Sequence, residues 1–290
     1  VVEQQMRWDE DLSGPFTVLL IDKNLKEVSV VTDLMTFIPV YTYQQDNQVW
    51  LGSHVDALAK ACGEQKSLDD VSLADFILND VVTFPFTVYK NIKQLKPGTN
   101  YQWQANKCSP TELTYWLPKE DFNFKDIDQA ATQLRSGIQR YVNTVTKRMP
   151  QLAQFISAGE DSRSLSGMLP QEKTRNAYIF LDHMNREGVI AKKVADIYQA
   201  HFTAGYRSKT HYLDILPEAG SLVGAGHQYT HAHSLGFDKK YKLAEYSAVF
   251  GGYLSDSLLK GEFVPKLRGI GRFPFLPTFE INRTPVGKQL

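Results

Sequence analysis

The stretch Ala153-Gln154-Phe155-Ile156-Ser157-Ala158-Gly159-Glu160-Asp161-Ser162-Arg163 constrains the fold more than any other part of the chain. A short apolar run passes through small residues directly into a helix start. A strand that hands over to a helix in this way begins a βα unit, and its parallel neighbour can be reached only by a crossover. The alternation continues downstream. Ala177–Leu181 reads as a strand, Glu187–Phe202 as an amphipathic helix through Ile190, Val194, Ile197 and Tyr198, and Tyr212–Ile215 as a third strand. Strands alternating with helices predict an α/β domain whose parallel sheet is covered on both faces.

Upstream of this run the pattern differs. Asp126 or Asp128 is placed to cap a long helix, because Ile127, Ala131, Leu134, Ile138, Tyr141, Val142 and Val145 recur at helical spacing and Pro150 follows. The first 120 residues read as mainly β. Phe16–Ile21 and Val28–Thr32 are joined by the polar run Asp22-Lys23-Asn24-Leu25-Lys26, a hairpin loop. Val49–Leu51 and Tyr101–Gln104 are further strands, and Val55–Ala61 and Ser72–Asn79 are short helices, the second with Ser72 as its cap.

A chain of 290 residues exceeds the needs of one core and suggests roughly two domains. Formal net charge is zero, which argues against a nucleic-acid partner held by bulk charge. The charge is divided, however. Residues 1–120 carry 10 Lys and Arg against 16 Asp and Glu, whereas residues 121–290 carry 22 against 16. The later part is therefore the better host for an anion. No apolar run reaches the ~18 residues of a membrane-spanning helix, so no membrane partner is expected. Cys62 and Cys108 read as two reduced thiols, which points to the cytoplasm.

The Ser157–Ser162 loop suits a phosphate. Backbone N–H groups at a helix N-terminus, together with the helix dipole, attract anions. Gly159 permits close approach, and Ser157 and Ser162 add hydroxyl donors. Asp161 repels a phosphate unless a cation bridges them, and Mg²⁺ is the natural bridge. A plain strand-to-helix turn with an acidic cap has the same local pattern. The Gly-Lys-Ser/Thr ending of a Walker loop is absent.

Ser157-Ala158-Gly159-Glu160-Asp161-Ser162 resembles the Ser-Gly-Gly-X-Asp-Ser pyrophosphate loop of the asparagine-synthetase family. Other text agrees in order. Gly14-Pro15-Phe16, Thr32-Asp33-Leu34, Pro39-Val40-Tyr41, and Leu51-Gly52-Ser53 with Ala57-Leu58 are similar to the later half of that family's amidotransferase domain. Thr87-Val88-Tyr89-Lys90-Asn91-Ile92-Lys93-Gln94-Leu95-Lys96-Pro97-Gly98 resembles its linker, followed by Tyr115-Trp116. Gly251-Gly252-Tyr253-Leu254-Ser255-Asp256-Ser257 resembles its second acidic loop.

The resemblance implies a partial Ntn-type amidotransferase α+β sandwich over residues 1–120 and a Rossmann-like ATP pyrophosphatase domain over residues 121–290. It implies an ATP-dependent ligase that adenylates a carboxylate, aspartate or an analogue, which ammonia or an amine then converts to an amide. Ser157, Ala158, Gly159, Glu160, Asp161, Ser162 and Gly252 would hold the nucleotide, and Asp161 and Asp256 the Mg²⁺. Lys260 would reach a phosphate as a catalytic cation, and Ile179 and Phe180 would wall the adenine pocket. A homodimer is a candidate assembly.

Departures from the family pattern favour a second expectation, a degenerate relative that binds a nucleotide or a protein as a scaffold. Ala158 replaces a glycine, Glu160 brings a negative charge, and Ser257 replaces an acidic residue. The family's glutaminase nucleophile is an N-terminal cysteine, a role Val1 cannot fill. The chain therefore reads as a piece of a longer one, and residues 262–290 carry no functional reading. His227, His231 and His233 form His-X3-His-X-His; the first two would share a helical face, as metal ligands often do, which would suit a metal hydrolase, though a polar surface or core-histidine role is favoured. Asp9-Glu10-Asp11 reads as solvated lead-in, and Trp103 and Trp116 as packing residues.

Overall fold

The computed structural model describes residues 6–12, 14–45, 48–105, 107, 109–119 and 124–252. In chain order the elements are β1 (Thr17–Asp22), β2 (Glu27–Thr32), β3 (Tyr41–Gln45), β4 (Gln48–Gly52), α1 (Val55–Cys62), α2 (Asp70–Asn79), β5 (Ile92–Gln94), β6 (Thr99–Gln104) and β7 (Thr111–Thr114). There follow α3 (Ile127–Thr146), β8 (Gln151–Phe155), α4 (Glu160–Met168), β9 (Thr174–Leu181), α5 (Arg186–Ile197), β10 (His201–Tyr206), α6 (His211–Val223), α7 (Phe237–Lys240) and β11 (Val249–Phe250). No helix among the described residues is long and apolar enough to cross a membrane. Two units separate: the described residues up to Asn123 with Thr210–Leu235, and Phe124–Lys209 with the described residues from Gly236 on.

The first unit holds two antiparallel sheets, ordered β1-β2-β6-β7 and β4-β3-β5. The β1–β2 hairpin closes where the Asp22 carboxylate accepts the Asn24 and Leu25 N–H groups at 2.8 and 2.9 Å. Side-chain capture of backbone donors is what makes Asp a turn residue. Strand alternation then places Val30 opposite Tyr101 and Val28 opposite Trp103. Val30, Tyr101 and Trp103 form one buried cluster with Val40 and Leu95, and Val49 and Leu51 pack against it. A second cluster joins Tyr41, Tyr43 and Ile92 to Val55, Leu58 and Ala59 of α1. Asp33 is buried because four backbone N–H groups, those of Phe16, Met35, Phe37 and Ile38, converge on its carboxylate.

Helix α2 is capped by Asp69, not by Ser72 as the sequence pattern predicts. The Asp69 carboxylate accepts the Ser72 N–H at 3.1 Å and the Ser72 hydroxyl. The predicted strand Tyr212–Ile215 is also corrected, since these residues lie in α6. A tetrapeptide shows no period of its own, and burial of Ile215 and Ala219 four apart marks the helical face. α6 and the turn after it are held in this unit by His54 Nε2 against the Ser221 carbonyl at 2.9 Å. The Asp56 carboxylate also accepts the Ala225 N–H at 3.2 Å.

The second unit is a parallel sheet in the order β10-β9-β8-β11. Its third strand is His201–Tyr206, whose first two residues fall within the stretch Glu187–Phe202 that the sequence pattern assigns to a helix. α5 stops at Ile197 because Gln199 takes φ +55° and the Ala200 N–H bonds the Ala195 carbonyl at 2.9 Å. That is a left-handed helix terminus made without the usual glycine. Helices α3, α4 and α5 cover one face of the sheet, through Val142, Leu152 and Leu169 and through Ala177, Ile179, Ala191 and Val194. Phe237 and Leu243 cover the other, against Ala153, Tyr178 and Phe180. α3 is capped by Asp126, whose carboxylate accepts the Gln129 N–H at 2.8 Å. Only the later part of its apolar stripe is packed; Ile127 is 82% exposed.

Arg175 is 3% exposed. Its Nη1 donates to the Ser166 and Leu169 carbonyls at 3.1 and 3.4 Å, binding the end of α4. Its Nε and Nη2 have no hydrogen-bond partner among the described residues. Burial holds the guanidinium below the usual arginine range. A buried charge with unmet donors stabilises poorly, whereas truncation orphans its partners and opens a cavity. Arg175→Met is expected to stay within about 1 kcal/mol of the parent stability or exceed it, while Arg175→Ala loses about 2–4 kcal/mol; urea denaturation of both variants checks this.

The Asp69 cap gives a second prediction. The Ser72 hydroxyl bond holds the Asp69 carboxyl below the usual carboxylate range. A depressed folded value stabilises above the unfolded carboxylate value and is lost as pH falls through the folded one. Asp69→Ala should cost about 1 kcal/mol at neutral pH, and the gap should close on acidification in parallel denaturation curves.

Candidate functional site

β8 lies between β9 and β11. The chain runs outward from β8 to β9 and β10, then returns to place β11 on the opposite edge of β8. The sheet order therefore reverses between β8 and β11, and open parallel sheets bind ligands beyond the carboxyl ends of strands at such a reversal. The Ser157–Ser162 loop leaves the end of β8, and Gly251-Gly252 leaves the end of β11. The pairs Val249–Ala153 and Phe250–Gln154 bring those two ends side by side.

Gly252 shows how close they come. A Cβ at this position would stand 2.9 Å from the Asp161 Cβ and 3.4 Å from the Ser162 nitrogen. Only backbone fits there. This contact joins two of the residues singled out from sequence, though they lie far apart in the chain.

The loop is organised by its two serines. Ser162 Oγ accepts the Ser157 N–H and lies 3.0 Å from Ser157 Oγ, which accepts the Gly159 N–H at 3.0 Å. Gly159 caps α4 with φ −66° and no side-chain bond. Its value as a glycine is space, since a Cβ would meet Ser157 Oγ at 3.1 Å. Ala158 is not among the residues with positive φ, so replacing a glycine there adds no left-handed strain. Glu160 and Asp161 occupy the first turn of α4, where carboxylates favour the helix dipole. Glu160 is exposed and Asp161 half-buried. Arg163 folds back along the same turn, with Nε donating to the Gly159 carbonyl at 3.4 Å.

Beneath the loop lies a relay that sequence reasoning missed. Gln154 Nε2 donates to Ser166 Oγ at 2.7 Å, and Ser166 Oγ donates to the Ser162 carbonyl at 3.0 Å. Gln154, Ser162 and Ser166 are buried. A polar residue inside an apolar strand, and a serine four positions after Ser162, were the available signals.

Ile179 is 6% and Phe180 9% exposed, on opposite faces of β9. Ile179 packs toward α5, and the Phe180 ring stacks on Phe237 at 4.3 Å. Both serve the core. Asp256, Ser257 and Lys260 lie outside the described residues, as does Cys108. His227 and His231 do not share an α-helical face, because Tyr229–Ala232 is a 3₁₀ turn. Among the described residues no three His, Cys, Asp or Glu side chains are grouped to hold a metal ion. Trp103 is core.

Residues 4–116 match the family model of a glutamine amidotransferase domain. The matched stretch spans β1 to β7, both antiparallel sheets of the first unit, and suggests a glutamine-utilising function. It ends before the loop after β8, whose chemistry rests on its own geometry. None of the curated proteins compared matches the chain.

The loop's dependence on Ser162 is testable. Ser162→Ala removes the acceptor of the Ser157 N–H and is expected to lower stability by about 1–3 kcal/mol, read from urea denaturation. Amide exchange at Ser157 and Gly159 should rise, while β10 stays protected.

Proposed function

We propose that this chain belongs to an ATP-dependent amide-forming ligase of asparagine-synthetase type, acting on aspartate or another small carboxylate with ammonia or an amine as nitrogen source. On this reading the second unit is a Rossmann-like ATP pyrophosphatase domain and the first is the later part of an Ntn-type amidotransferase sandwich. The observation that carries the proposal is the approach of Gly252 to Asp161 across the strand reversal.

The residues present fit a magnesium nucleotide. The first turn of α4 offers backbone donors and a dipole, Ser157 and Ser162 offer hydroxyls, and Asp161 is a hard oxygen ligand suited to Mg²⁺. Gly159 and Gly252 keep side chains out of the space around them. Bound ATP supplies an electrophilic α-phosphate and a pyrophosphate leaving group. The chain's own part is to orient that group and neutralise the charge that develops on it. Arg163 adds positive charge at the same turn. The buried Gln154–Ser166–Ser162 relay holds the loop still, so its dipoles need no reorganisation.

A second reading rests on Glu160. Its exposed carboxylate stands one residue before Asp161 and opposes a polyphosphate. That charge favours a scaffold that has lost turnover.

Calorimetric titration of Mg²⁺-ATP, with Asp161→Ala and Gly252→Ala alongside, tests the proposal. The parent chain is expected to bind with Mg²⁺ dependence. Asp161→Ala should lose that dependence, and Gly252→Ala should weaken binding at least tenfold while remaining folded, because its Cβ pushes on Asp161. A folded parent that shows no heat with millimolar ATP sinks the reading. Binding without pyrophosphate release across candidate carboxylates selects the scaffold.

A further inference from the structure

A cavity of about 570 Å³ opens within the first unit beside β3, β5 and β6. Its lining carries three lysines, Lys90, Lys93 and Lys96, against one acid, Glu112. Lys96 is matched, with Nζ 2.7 Å from the Glu112 carboxylate. Lys90 and Lys93 have no carboxylate at ion-pairing distance among the described residues, and Asp69 acts on both only from further away. Residues 1–120 are otherwise the acidic part of the chain, with 10 Lys and Arg against 16 Asp and Glu. Two unmatched ammonium groups at one cavity run against that local charge.

Thr42 forms the floor. It stands directly opposite Lys93 in the β3–β5 ladder, and residues opposite one another in an antiparallel pair share a face. Thr42 is 9% exposed, and its hydroxyl has no hydrogen-bond partner among the described residues. A buried hydroxyl left unpaired is costly. Because Thr42 lines the cavity, a guest on the floor can supply the missing partner. Lys93 is half-buried, and its Nζ stands 4.2 Å from the centre of the Phe86 ring, which steadies the side chain. Burial pushes this ammonium below the usual lysine range, so it lacks solvation that an anion restores. The other walls mix the amides of Gln44 and Gln94 with the apolar edges of Pro85 and Leu95. A space of this size with cations, a hydroxyl and amides suits an organic oxyanion better than an apolar ring.

The geometry points to a binding site for a small organic anion of one or two charges, a carboxylate or a phosphate ester, held by Lys93 and Thr42 on the floor and by Lys90 at the mouth. The inference does not depend on the ligase reading.

Succinate and methyl phosphate serve as probes in ligand-observed NMR titrations of the full chain at low salt, with succinamide as the uncharged control. At least one anion should saturate, and the tighter of the two identifies the preferred head group. Succinamide should bind about tenfold more weakly or worse, the worth of a charge-assisted hydrogen bond. Lys93→Met keeps an apolar stem against Phe86 and should weaken the anion about tenfold or more, with circular dichroism confirming the fold. Thr42→Val should weaken it about threefold to tenfold while stability in urea stays level or rises, because the hydroxyl it removes is unpaired. Lys23→Met, in the β1–β2 turn, should leave the affinity unchanged. Saturation by neither anion overturns the inference. Equal affinity for succinamide, or unchanged anion affinity in a folded Lys93→Met or Thr42→Val, overturns it as well.

Discussion

The pairing of β8 on both of its edges underlies everything at the candidate site. On one side β9 fixes the strand over five residue pairs, from Gln151–Thr174 to Phe155–Tyr178. On the other, two pairs with β11 suffice to set the end of that strand beside the loop. Parallel strands are buried on both faces, so polar groups here must be met from within. Gln154 and Ser166 are met by one another, and that bond ties α4 to β8 at the level where the loop begins. The geometry around Gly252 and Asp161 follows from this alignment.

In the first unit the organising groups are carboxylates. Asp33 gathers four backbone donors and fixes the turn between β2 and β3. Asp56 binds the Tyr89 hydroxyl and the Ala225 N–H, and so ties α1 to segments far from it in sequence. Each carboxylate substitutes for a stretch of regular structure, satisfying backbone groups that no strand or helix reaches.

The elements with their own period and punctuation were legible in the sequence. Asp126 before an apolar stripe gave α3, the small residues after Phe155 gave the β8–α4 turn, and Asp22 to Lys26 gave the hairpin. What escaped were features settled by tertiary context. Gln199 ends α5 in a left-handed conformation that a glycine would have advertised, so the helix was read two residues into β10 and the strand itself was missed. Tyr212–Ile215 has strand-forming residues but too few to show alternation, and packing of Ile215 and Ala219 decides for helix. At the site, the loop and Gly252 were readable as motifs. Their adjacency was readable only as a possibility of parallel sheets, and of the relay only its members stood out, Gln154 as a polar residue in an apolar strand and Ser166 four positions after Ser162, because the bond that joins them across the fold leaves no local pattern.

The buried phenols of the first unit have a consequence for strong base. Tyr41, Tyr89, Tyr101 and Tyr115 are each pushed up to about 12, chiefly by burial. In an unfolded chain a phenol ionises near ~10. Between those values unfolding releases protons, so the stabilisation is whole below the lower value and gone once pH climbs through the higher. The apolar clusters that position Tyr41, Tyr89 and Tyr101 therefore oppose folding in strong base, and loss of structure there would coincide with the ultraviolet absorbance of phenolate.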